Sequence, residues 1–130
     1  RNPPPPKNIK ITDRALERET KLVDSIKLNS AQITLAIWDD AVEDGDSISL
    51  SINDQWIVQG FAVKKKPQFL TVTLEPGINN IIFVADNLGA IPPNTSLLEI
   101  IDGKFRKAYY INTNLSQNNQ VKIRYDYKGP

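Results

Sequence analysis

Ser47-Ile48-Ser49-Leu50-Ser51-Ile52 alternates polar and apolar residues without a break. A β-strand throws successive side chains to opposite faces, so Ile48, Leu50 and Ile52 share one face and the three serines the other. The same period of two runs outward through the chain. Leu70-Thr71-Val72-Thr73-Leu74 repeats it, and Gln32 to Trp38 sets Ile33, Leu35 and Ile37 on one side. Val121-Lys122-Ile123-Arg124-Tyr125-Asp126-Tyr127 repeats it with its charges on the solvent side. Asn80 to Ala85 is apolar through Ile81, Ile82, Phe83 and Val84, as expected of a strand covered on both faces. Leu97 to Ile101 and Phe105 to Ile111 complete the set.

Turn chemistry falls between these runs. Asn53-Asp54 and Asp102-Gly103 have the form of two-residue hairpin turns, the second favoured because glycine accepts a positive φ. Glu75-Pro76-Gly77 and Asn87-Leu88-Gly89 mark further reversals, and Pro92-Pro93 assigns residues 88–96 to a loop or edge crossing. Residues 13–28 admit two readings. Ala15, Leu16, Leu22, Val23 and Ile26 fit one helical stripe, whereas Leu22, Ile26 and Leu28 fit a first strand ending at Asn29-Ser30. The strand is preferred for residues 20–28, because the other strands otherwise keep an unpaired edge.

Short strands separated by turns every 8–12 residues or so are the mark of a sandwich or barrel. The expected fold is all-β: one antiparallel, immunoglobulin-like β-sandwich of about eight strands over residues 20–128, with a Greek-key connection. Its inward set is Ile33, Leu35, Ile37, Ile48, Leu50, Ile52, Leu70, Val72, Leu74, Phe83, Val121, Ile123 and Tyr125. Residues 1–19, with Pro3-Pro4-Pro5-Pro6, read as a Pro-rich, charged linker or tether. The chain opens at Arg1 and has no methionine, so we expect a processed piece of a longer product.

Composition excludes much chemistry. With no cysteine and no histidine among 130 residues, thiol nucleophiles, disulfides, Ser-His-Asp triads and His- or Cys-based zinc sites are ruled out. No apolar run is long enough for a transmembrane helix. The net charge of +1 is unevenly spread: residues 32–60 hold six acids and no Lys or Arg. One acidic stretch in a mildly basic chain points to a local site rather than a charged face. Lys64-Lys65-Lys66 is short and has no stacking aromatics beside it, so nucleic acid is not an expected partner.

The segment Asp44-Gly45-Asp46-Ser47-Ile48-Ser49-Leu50-Ser51-Ile52-Asn53, with Ala85-Asp86-Asn87-Leu88-Gly89-Ala90-Ile91-Pro92-Pro93-Asn94-Thr95, resembles a group of secreted and cell-envelope β-sandwich domains of Bacteroidetes-like bacteria. The resemblance covers about residues 20–127 and rests mainly on the second motif. The chain departs from the pattern at Trp38-Asp39-Asp40-Ala41 and has Asn53-Asp54 where the group has Asn-Gly. What the resemblance implies is an immunoglobulin-like sandwich attached to larger surface or periplasmic proteins. It carries over no catalytic residue.

Candidate sites follow from residue chemistry. Asp39, Asp40, Glu43, Asp44 and Asp46 supply five carboxylates within eight residues, and Ca²⁺ takes six to eight oxygen ligands. Val42 stands where an EF-hand loop wants a ligand, so a solvated turn is the competing reading and no cofactor is expected, with calcium as the alternative. Paired carboxylates for glycoside hydrolysis must face each other across a cleft, which neighbours in one loop do not do. Trp56, Tyr109 and Tyr110 are the residues expected to stack on a ligand, whereas Trp38 is expected in the core. Asn94-Thr95-Ser96 and Asn114-Leu115-Ser116 match the glycosylation acceptor pattern. The expected function is a noncatalytic accessory or adhesive module of a secreted, periplasmic or cell-surface bacterial protein. Its partners would be other domains of the same precursor, envelope proteins or glycans. A carbohydrate-binding module, calcium-stabilised or not, is the alternative, and a small secreted hydrolase the third reading.

Overall fold

The computed structural model describes residues 15–39, 45–88 and 92–126. Nine strands form there: β1 Glu19–Leu28, β2 Gln32–Trp38, β3 Ser47–Ile52, β4 Gln55–Ala62, β5 Gln68–Thr73, β6 Gly77–Ala85, β7 Asn94–Asp102, β8 Phe105–Thr113 and β9 Gln117–Tyr125. They make two layers, a five-stranded sheet in the order β1-β9-β6-β3-β4 and a four-stranded sheet in the order β5-β2-β7-β8. The chain is thus the antiparallel, immunoglobulin-like β-sandwich expected, with nine strands in place of about eight. Pairing is antiparallel throughout except between β1 and β9, which run parallel. Strands β3 to β6 follow a Greek-key path. The β3–β4 hairpin is followed by β5 in the other sheet, and β6 returns to lie beside β3. Among the described residues no helix is long and apolar enough to cross a membrane.

The alternation read from the sequence sets the core. Every residue of the expected inward set is buried except Ile52 and Leu70, which pack half-buried against it. Residues 20–28 are strand, as preferred over helix. Residues 15–19, left to the linker by the sequence, belong to the domain. Ala15 is buried, its carbonyl accepts from Asn118 Nδ2 at 2.7 Å, and β1 starts at Glu19. The proline run at residues 3–6 and the end of the assigned domain at 127–128 lie outside the described residues.

Local geometry matches one expected turn and departs from expectation in two other places. Asn53 and Asp54 both take positive φ (50° and 67°), the signature of the hairpin turn that matches strand twist. The β7–β8 turn uses Gly103-Lys104 rather than Asp102-Gly103, since Asp102 pairs with Phe105. Glycine (φ +60°) then stands first of the two turn residues, where a two-residue hairpin of this kind wants it. In β1 the register with β9 shifts between Leu22 and Asp24, a β-bulge at Val23. The extra residue reverses the alternation. Lys21 is opposite Asn119 before the bulge and Asp24 is opposite Val121 after it, so both take the inward-facing register while Leu22 turns outward.

Candidate functional site

Along one side of the sandwich β1 edges the five-stranded sheet and β8 edges the four-stranded one. Tyr109 points inward from β8 and donates its phenol to Asp24 Oδ2 at 2.7 Å, and Lys107 Nζ reaches the same oxygen at 2.9 Å. These bonds hold the Asp24 carboxyl below its ordinary value, because they favour the charged form. Burial first, and then the bond to Asp24, pushes the Tyr109 phenol up. The Lys107 ammonium sits 5.5 Å from the centre of the Tyr109 ring. The cluster ties the two edge strands together.

The same edges enclose a groove of about 350 Å³. Lys21, Leu22 and Val23 of β1 form one wall, Tyr110 and Asn112 of β8 the other, and Asn114, Gln117 and Asn119 line the rest. Tyr110 is 58% exposed and Leu22 48%, so an aromatic ring and an aliphatic side chain flank the opening. Asn119 is 2% exposed. Its Oδ1 accepts from the Asn112 backbone amide at 2.9 Å, but its Nδ2 has no hydrogen-bond partner. A buried carboxamide donor left unsatisfied costs about 1–3 kcal/mol, and such groups are rare in native folds. One unused buried donor thus belongs to a residue that lines the groove, with carboxamides, a tyrosine ring and the Lys21 side chain around it.

The three residues expected to bind a ligand are carried to three separate places. Tyr110 lines the groove. Tyr109 is buried in the core and spends its hydroxyl on Asp24. Trp56 is half-buried on β4, in register with Ser51 at the far edge of the other sheet. Trp38 is not in the core either. Ile33, Leu35 and Ile37 fill the inner face of β2, which turns Trp38 outward beside Leu97.

Of the five acids considered for calcium, Asp40, Glu43 and Asp44 lie outside the described residues. Asp39 and Asp46 are both buried, and Asp46 Oδ2 accepts from the Thr95 backbone amide at 3.3 Å. No group of three or more potential metal-ligating side chains occurs among the described residues. Ser47 and Ser49 donate to the Asp86 carboxylate at 3.4 and 2.7 Å, and the Gly60 amide joins them at 3.0 Å, an anchor at the exit of β6. Asn94 is buried and its Nδ2 is held by the Ser47 and Asn87 carbonyls, so in the folded state it is closed to glycosylation.

The sequence does not mark the groove residues other than Tyr110 as a ligand site. Their signal is the density of carboxamides in Asn112-Thr113-Asn114-Leu115-Ser116-Gln117-Asn118-Asn119-Gln120. What makes them a site is the crossing from β8 to β9, which sets them beside β1. No family model, curated protein or solved structure matches the chain.

Proposed function

We propose that this sandwich is a noncatalytic accessory or adhesive module of a secreted or cell-envelope protein, and that the groove between β1 and β8 binds a saccharide. The observation that carries the reading is the buried, unpartnered Nδ2 of Asn119, a residue lining a groove in which carboxamides and Tyr110 face the Lys21–Val23 wall. Sugar hydroxyls both donate and accept, as carboxamides do, so each can satisfy the other in either sense. The C–H face of a pyranose ring is apolar and packs on an exposed aromatic ring, the usual division of labour in a binding site with few polar anchors. The envelope setting is supported by the motif resemblance of residues 44–53 and 85–95.

A glycan array carrying bacterial, plant and animal oligosaccharides tests the reading. Binding to at least one class is expected, weakened tenfold or more by Tyr110→Ala, about 1.4 kcal/mol. The melting midpoint should hold, because the ring is largely in water. A protein that binds nothing on the array, or binds equally well without the tyrosine ring, overturns it.

A further inference from the structure

We infer that the ligand is a chain of sugars that leaves the groove and runs across the outer face of the four-stranded sheet, an inference that rests on the saccharide reading above. Tyr110 belongs to both surfaces. It lines the groove, and it is also the last member of a cross-strand row in which Trp38 pairs with Leu97 and Leu97 with Tyr110. Phe69 continues the row. Its partner is Ala36, which places it diagonally beside Trp38, within reach for aromatic side chains. None of these four side chains belongs to the core, and Phe69 is 64% exposed. From β5 to β8 the row spans three interstrand steps, roughly 14 Å.

The row is one side chain wide. Thr95 and Asn112 pair along one flank, and Glu99, in an ion pair with Arg106 at 2.8 Å, stands on the other. A partner protein would need a broader apolar patch with a polar rim. A single file of three rings and a leucine across the sheet, bordered by hydrogen-bonding groups and continuous with a carboxamide groove, fits a linear polymer that lays successive sugar rings on successive side chains.

The test is affinity against chain length, by calorimetry with gluco-, xylo-, manno- and N-acetylglucosamine oligosaccharide ladders from the disaccharide upward. The protein should bind one ladder with affinity rising at least tenfold from its shortest to its longest member. Phe69→Ala and Trp38→Ala should return the long oligosaccharides to short-chain affinity and leave the disaccharide unaffected. Asn119→Ser should weaken every length alike. Phe69→Ala keeps the test decisive if Trp38→Ala fails to fold, because the Phe69 ring is mostly in water. Affinity independent of length, or equal losses on short and long chains, overturns the extended track and leaves the groove reading standing. Absence of binding at every length overturns both. Self-association abolished by Phe69→Ala also overturns the track, since a second copy would then own this face.

Discussion

Tyr109 Oη lies 2.7 Å from Asp24 Oδ2 between the two edge strands of the sandwich, and that one contact has a pH signature. The Asp24 carboxyl is held below its ordinary value, first by the bond from Tyr109 and then by the bond from Lys107. A depressed folded pKa means that the unfolded chain takes up the proton first as the solution is acidified. The stabilisation is therefore complete above the ordinary carboxylate range, about pH 4, and is lost as pH falls through the lower folded value. Tyr109→Phe is expected to cost about 1.5 kcal/mol at neutral pH, the lower end for a hydrogen bond to a charged group because Asp24 still reaches water. Denaturant midpoints of the two proteins should converge on acidification. A constant gap between them would show that the phenol acts through packing alone. Asn119 poses the opposite case, a residue whose donor the fold does not use. The carboxamides of residues 112–120 are visible in the sequence, but which of them is left unsatisfied depends on neighbours far along the chain.

At the scale of elements, the β3–β4 turn, the register shifts between β3 and β4 and the bulge in β1 carry departures from ideal strand geometry. The β3–β4 hairpin holds Asn53 and Asp54 at positive φ. Asn53 repays the strain through its side chain, whose Oδ1 accepts from the Asn80 amide at 2.9 Å and whose Nδ2 reaches Asn79 Oδ1 at 2.9 Å. Asp54 is exposed and stands where glycine is at ease. Asp54→Gly should stabilise the fold by up to about 1 kcal/mol, the relief of left-handed strain exceeding the added freedom of the unfolded chain. A lowered melting midpoint would show that Asp54 holds the turn by other means. Gly60 is the converse. It sits at φ +64° in β4, next to the stretch where the β3–β4 register shifts, and donates its amide to Asp86 and to Ser49. Its neighbourhood has room for a methyl group, so the cost of Gly60→Ala is conformational, about 1–2 kcal/mol. Urea unfolding measures it, and an unchanged midpoint would show that β4 shifts to relieve the strain. The bulge at Val23 has the largest consequence, since it turns both Lys21 and Asp24 toward β8.

For the whole molecule, the fold has a groove between two edge strands and one covered core, so stability and the proposed binding fall to separate residues. The core holds Phe83, Leu35, Ile37 and Leu50 with essentially no exposure, and the groove and aromatic row lie outside it. Binding variants such as Tyr110→Ala should thus leave the melt nearly intact. The acidic stretch belongs to this scale too, because Asp46 already anchors β7 through the Thr95 amide. Thermal melts with calcium, with chelator and with magnesium at matched ionic strength are expected to share one midpoint. A rise specific to calcium, about 2.7 kcal/mol at a hundredfold excess over the dissociation constant, would instead assign a metal to the loop.

The sequence by itself determined the two-layer β architecture, nearly all of the inward set and the sites of chain reversal. Those properties depend on a period of two and on turn chemistry, both local and both written in neighbouring residues. It misjudged Trp38, since an aromatic at the end of an alternating strand looks the same whether its face is covered or bare. It missed the groove for the same reason. Lys21 and Asn119 are nearly a hundred residues apart, and only the parallel pairing of β1 with β9, the bulge at Val23 and the crossing from β8 bring them together. Tertiary structure decided the site because a one-residue shift in register reverses which side chains face a neighbour, and that shift is set by long-range pairing that no local stretch encodes.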